Sequence, residues 1–167
     1  MGNNTYTGSP FKFNSSGYGK SGSMYLFHNT CDAGYSGNNG LYIKSGGSGD
    51  EGWDLIYSRN NIFSGTDYAL NNYHTSQLLD MDFDNLWNNS IKELVRWDSL
   101  RLATLDDYQS HTGQEVNGIS SDPGFGNPDK GDYSLISGSS SIDRGEVVTG
   151  INNDYNGSAP DLGAFEH

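Results

Sequence analysis

The hexapeptide Leu79-Asp80-Met81-Asp82-Phe83-Asp84 puts three carboxylates at alternate positions of what reads as one strand. Side chains two residues apart on a strand share a face, so Asp80, Asp82 and Asp84 would stand in a row. Like charges at that spacing repel unless a cation, a basic residue or a proton intervenes. Such a row could ligate a hard cation, Ca²⁺ in the first instance, through Asp80 and Asp82, although no cofactor is required. It could instead bond sugar hydroxyls, or act as the acid and base pair of glycoside hydrolysis. The same spacing also describes a solvated strand edge with no chemistry. A lyase would need a base beside a uronate and a cation to neutralise it. His28 could be that base, and on the outer face it would stack near Asn60 and Asp84, but Lys12, Lys20, Lys44, Arg59 and Lys92 form no cluster along the sequence. Trp53, in a polar insertion, and Trp87, just after an Asn, could lay their rings against a sugar. His/Cys metal pairs, a P-loop, a dinucleotide fingerprint and a nucleophile elbow are absent from the sequence.

The elements that must position these residues recur along the chain. Asn3-Asn4-Thr5-Tyr6, His28-Asn29-Thr30-Cys31, Asn60-Asn61-Ile62-Phe63 and Asp84-Asn85-Leu86-Trp87 align without gaps, with Asn4, Asn29, Asn61 and Asn85 separated by 25, 32 and 24 residues. Steps of that size match successive coils of a parallel β-helix, the longer one holding an insertion at Gly46–Gly52. Stacked coils lie about 4.8 Å apart, so an Asn at each turn can bond the one above and below it in a ladder. Short strands are expected just before the Asn positions, at Met24–Phe27, Ile56–Arg59 and Asp80–Phe83, and elsewhere at Phe11–Asn14, Leu41–Lys44 and Ala69–Tyr73. Alternation assigns Tyr25, Tyr57 and Met81, then Phe27, Arg59 and Phe83, to the interior. Arg59 breaks that pattern, by a local register shift or by a role of its own.

Composition narrows the class. Hydrophobic residues are 33% and charged residues 18% of the 167, with 23 Gly, which describes a turn-rich β protein in one domain. No apolar run is long enough to span a bilayer, so no membrane partner is expected. The net charge of −12 repels phosphate backbones and excludes nucleic acid as a partner; a polyanion would bind only where the few basic residues cluster. One cysteine, Cys31, makes no internal disulfide. From Asp98 to Ser110 helical spacing takes over, with Asp98 or Ser99 as N-cap, no capping box, and Gly113 as the stop. Short strands are expected at Tyr133–Ile136 and Leu162–Phe165. The division is therefore residues 1–95 as coils and 96–167 as a helix plus capping region of the same domain, the helix covering strand edges.

The C-terminal strings "ATLDDYQSHTGQEVNGISSDPGF", "PDKGDYSLISGSSSIDRG" and "NNDYNGSAPDLGAFEH" resemble the closing region of bacterial right-handed parallel β-helix proteins of the pectate-lyase-like, polysaccharide-active group. The resemblance covers roughly the last 70 residues and implies a fold, a polysaccharide partner and an extracellular location. It does not imply activity, because in such proteins this region is a cap. Catalytic members have many more coils than fit before Asp98, so the chain is expected to be a C-terminal fragment or a short relative. Its N-terminal coil would then dock missing upstream coils or a second copy. Three readings follow: a polysaccharide-binding protein without a complete catalytic set, a polysaccharide lyase or glycoside hydrolase using the outer strand face, and an assembly module docking through its open end.

Overall fold

The computed structural model describes residues 9–15, 19–34, 38–44, 49–73 and 77–167. Asn4 lies outside these, as do residues 46–48 of the Gly46–Gly52 insertion. Three parallel sheets are built by strands that pair with every third strand in the chain. β1 (Phe11–Asn14), β4 (Leu41–Lys44), β7 (Leu70–Asn72) and β10 (Val95–Trp97) form the first, in that order, and β11 (Leu100–Leu102) extends it antiparallel. β2 (Ser23–Phe27), β5 (Leu55–Arg59) and β8 (Leu79–Asp82) form the second. β3 (Thr30–Asp32), β6 (Ile62–Gly65) and β9 (Asn85–Asn88) form the third. Among the described residues the fold is all-β with one α-helix. β1 and β4 coincide with the expected strands, whereas Leu162–Phe165 forms no strand.

The sheets enclose one core. Leu26, Ile56, Leu79 and Met81 from the second sheet meet Leu41, Ile43, Leu70 and Val95 from the first and Cys31, Phe63 and Leu86 from the third. This reverses the expected faces of β2 and β5, whereas Met81 of β8 lies inside as expected. In register, Met24, Ile56 and Leu79 stack inside, followed by Leu26, Ser58 and Met81, while Tyr25, Tyr57 and Asp80, then Phe27, Arg59 and Asp82, stack outside. Two features account for the difference. Met24, Leu26, Ile56 and Ser58, rather than the large aromatics, face inward in β2 and β5, and the last circuit is one residue shorter than the Asn85 alignment implies, so that β8 alone matches.

Each circuit turns from the second sheet to the third at a single left-handed residue: His28 (φ 50°), Asn60 (φ 61°) and Phe83 (φ 57°). Non-glycine residues adopt this conformation at a cost that Asn and His bear better than most. The corner swings the next side chain inward, and there the polar row forms.

Beyond β10 the chain closes the last circuit. Asp98 (φ 51°) and Ser99 turn the β10–β11 hairpin, so they cannot cap a helix. The helix α1 instead spans Leu105–Thr112, with Thr104 as N-cap and a capping box completed by Asp107. Thr104 Oγ1 accepts from the Asp107 N–H at 3.1 Å, and Asp107 Oδ2 accepts from the Thr104 N–H at 3.1 Å. Gly113, after Thr112, ends the helix in the left-handed conformation (φ 71°), as expected of a glycine stop. Tyr108 drops into the core against Trp97, and residues 114–119 then bond the free edges of β8 and β9 through Glu115 N–H to Met81 O and Leu86 N–H to Ile119 O.

The remaining chain folds back along the outer face of the third sheet. β12 (Phe125–Asn127) and β13 (Asp132–Leu135) make a short hairpin, and Ile62, Leu135 and Leu162 form a second small core. Gly163 (φ 91°) lies so close that a Cβ there would meet Thr30 Oγ1 at 2.6 Å and Ile62 Cδ1 at 2.9 Å. The C-terminal segment thus braces the side of the stack as well as closing its edge. At the other end, among the described residues, β1, β2 and β3 each pair with one neighbouring strand only.

Candidate functional site

The polar row runs through the interior. Asn29 Nδ2 and the Asn29 N–H both donate to Asn61 Oδ1 at 2.8 Å. Asn61 Nδ2 and the Asn61 N–H then donate to Asp84 Oδ1, at 2.9 and 2.7 Å. The Asp84 N–H donates to Glu115 Oε2 at 3.1 Å. Asn29 and Asn61 stack as expected, but Asn85 does not join them. Strand pairing sets Asn85 beside Ile62, one position on, where its amide bonds Ser121 and Ser141 under the C-terminal segment. Asp84 takes the place in the row, and Glu115, which no repeat announced, ends it.

Asp84 and Glu115 are both fully buried. Burial pushes Asp84 up to about 6, although hydrogen bonds from Ser58, Asn61 and Glu115 favour its ionised form. Glu115 is held well above the ordinary carboxylic range by burial first and by the Asp84 charge second. Asp84 has the donors: Ser58 Oγ at 2.6 Å as well as both groups of Asn61. Asp84 is therefore the ionised member and Glu115 the protonated one, and the retained proton relieves the repulsion of the pair.

The expected row of three carboxylates does not exist. Phe83 turns left-handed at the end of β8, so Asp84 points inward while Asp80 and Asp82 stay outside. Asp80 accepts from Arg59 Nη2 at 2.6 Å, and Asp82 accepts from the Asn117 N–H at 2.7 Å and Asn117 Nδ2 at 2.8 Å. Among the described residues no group of three or more His, Cys, Asp or Glu side chains could hold a metal ion. Arg59 does have a role of its own: it also bonds Glu146 at 2.7 Å and lies 4.1 Å from the Tyr57 ring centre.

His28 is tied into the fold rather than pointing into water. Its Nδ1 meets the Gly163 carbonyl at 3.2 Å, while Nε2 meets Asn60 Nδ2 at 3.1 Å and Asn152 Nδ2 at 2.7 Å. Both amides are oriented by main chain: Asn60 Oδ1 accepts the Glu146 N–H and Asn152 Oδ1 accepts the Val148 N–H. Nε2 is therefore the acceptor, and Nδ1 carries the proton. Asn60, fully buried, has no atom left for a ligand. Trp53 packs against the main core, and Trp87 is half-buried beside a groove of about 410 Å³ with Lys92, Leu94, Thr104 and Leu105.

What sequence reasoning missed is an aromatic platform on the outside of the second sheet. Tyr25 and Tyr57 are cross-strand neighbours with ring centres 6.1 Å apart; Phe27 lies 6.5 Å from Tyr25 at an 18° interplanar angle and 5.7 Å from Tyr57. Tyr25 is 60% exposed. The platform ends at a groove of about 250 Å³ lined by Phe27, His28, Ile151, Asn152, Asp154 and Glu166. The chain matches no protein-family model, no curated protein and no solved structure. The functional reading therefore rests on this geometry. The signal for the platform was present in Tyr25, Phe27 and Tyr57 at alternate positions, but it was assigned to the wrong face.

Proposed function

We propose that the chain is a short right-handed parallel β-helix that binds polysaccharide outside the cell, without a complete catalytic set of its own. The pairing of every third strand and the inward Asn29–Asn61–Asp84 row support the β-helix. Right-handed crossovers between parallel strands are the strong default. The observation that carries the binding is the outward-facing Tyr25–Phe27–Tyr57 platform, with Tyr25 exposed and Phe27 and Tyr57 half-buried, running into a polar groove. A sugar's apolar C–H face can stack on such rings while its hydroxyls reach Asn152, Asp154 and Glu166. Hydrolysis finds little support, since Asp84 is buried and Asp80 and Asp82 are occupied by Arg59 and Asn117.

Affinity electrophoresis through gels cast with different polysaccharides tests the reading. The parent chain should be retarded by at least one glycan, and Tyr25→Ala with Tyr57→Ala should weaken that retention about tenfold or more. Equal mobility of parent and double variant in every gel would refute platform binding.

A further inference from the structure

The cations that are scattered in the sequence are gathered by the register of the first sheet. Lys12 pairs with Tyr42, Tyr42 with Asn71, Asn71 with Arg96, and Arg96 with Arg101, so these five residues form one row across five strands. Their neighbours Phe11, Leu41, Leu70 and Val95 belong to or pack against the core, which puts the row on the outer face. Lys44, partner of Asn14, stands on the same face beside Lys12 and Tyr42. Among the described residues no carboxylate pairs with Lys12, Lys44, Arg96 or Arg101. Aromatic rings hold three of these cations instead: Lys12 Nζ lies 5.3 Å from the Tyr42 ring centre, and Arg96 Cζ lies 4.2 Å from that of Tyr73. Arg101 Cζ lies 5.6 Å from that of Tyr68. Arg96 Nε and Arg101 Nη1 also donate to the Asp98 carbonyl, so the two guanidinium groups are anchored together.

The charges fall into two poles. Lys12 and Lys44 stand over β1 and β4, Arg96 and Arg101 over β10 and β11, and Tyr42 and Tyr73 fill the interval, with Asn71 buried beneath and bonded to Asn39. From β1 to β10 is three strand spacings, about 14 Å. The geometry points to a second binding face here, for an extended acidic polysaccharide in which charged sugars alternate with neutral ones. Lysine and arginine meet the separated carboxylates or sulfates, and the tyrosines meet the neutral units. A polymer charged at every unit would set anions against the neutral middle of the row. Nucleic acid, with its denser charge, would also meet the repulsion of a chain carrying −12.

Calorimetric titration of the whole chain at low salt tests this with hyaluronan, in which glucuronate alternates with a neutral amino sugar. Polygalacturonate, oligo-dT and neutral dextran serve as comparison polymers. Hyaluronan should bind more tightly than the other three, and 0.5 M NaCl should weaken it. A Lys12→Gln, Arg96→Gln, Arg101→Gln triple variant should lose about 10- to 100-fold in affinity, as three exposed ion pairs imply. The charge-keeping Arg96→Lys, Arg101→Lys variant should stay within a few-fold of the parent and so report that the face still folds. Lys130→Gln, an exposed cation outside this face, should leave hyaluronan binding unchanged. Parent-like affinity in the triple variant overturns the proposal. Equal or tighter binding of polygalacturonate or oligo-dT overturns the alternating-charge assignment.

Discussion

Asp80 and Glu146 meet across the Arg59 guanidinium on the outside of the β5–β8 pair, whereas Asp84 and Glu115 meet inside, where among the described residues no basic side chain pairs with either. On the outside, the side chains of Asp80 and Glu146 keep 52% and 33% of their surface in water, so either carboxylate could be hydrated if the guanidinium were lost. On the inside, no such relief exists, and one carboxyl keeps a proton so that the other can remain charged. The same residue types are thus held together by ion pairing in one place and by protonation in the other. What decides between them is access to solvent.

The largest effect expected from breaking this contrast is Asp84→Ala. It removes the acceptor for Ser58 Oγ, the Asn61 N–H and Asn61 Nδ2 in a fully buried site, and should cost about 3–4 kcal/mol in urea unfolding. Loss of less than about 1 kcal/mol would mean that the row is not a structural support. Glu115→Gln should act in the opposite direction. Because Glu115 titrates well above its unfolded value, the stability it contributes is complete below about pH 4 and is lost as pH rises toward its folded pKa. The slope is about 1.4 kcal/mol per pH unit for one proton. A glutamine keeps an oxygen for the Asp84 N–H and donates permanently to the Asp84 carboxylate. The variant should be about 1–3 kcal/mol more stable than the parent at pH 8, converging with it near pH 4. Parallel stability curves for the two proteins would rule out a protonated Glu115. Arg59→Met should have the smallest effect, a loss of about 1 kcal/mol that shrinks further in high salt, since both partners are partly hydrated already.

The legible parts of the fold were those in which local pattern and tertiary environment agree. β1 and β4 were found at their bounds because Phe11-Lys12-Phe13-Asn14 and Leu41-Tyr42-Ile43-Lys44 alternate and do face a core on one side. Asn29 and Asn61 were legible because an Asn after a left-handed corner has one local use, to bond the turn and its neighbour. The next member was missed because Asp84 and Asn85 are adjacent and both fit the pattern, and only strand pairing tells which one faces inward. The platform was missed for a related reason. Alternation separates two faces of a strand without saying which is inside, and Tyr25, Phe27 and Tyr57 look like core until Ile56, Ser58 and Met81 are seen filling it. The helix start moved from Asp98 to Thr104 because the hairpin consumed the earlier capping residues.

By itself, then, the amino-acid order determined that the chain would make short strands, turn at polar corners about one circuit apart and stop its one helix at Gly113. These are local matters of side-chain period, left-handed tolerance and capping. Tertiary structure decided which face of each strand is interior, which carboxylate must keep its proton, and that Lys12, Arg96 and Arg101 share a row. Those properties depend on register between residues far apart in the chain, and a shift of one position exchanges every inward side chain for an outward one.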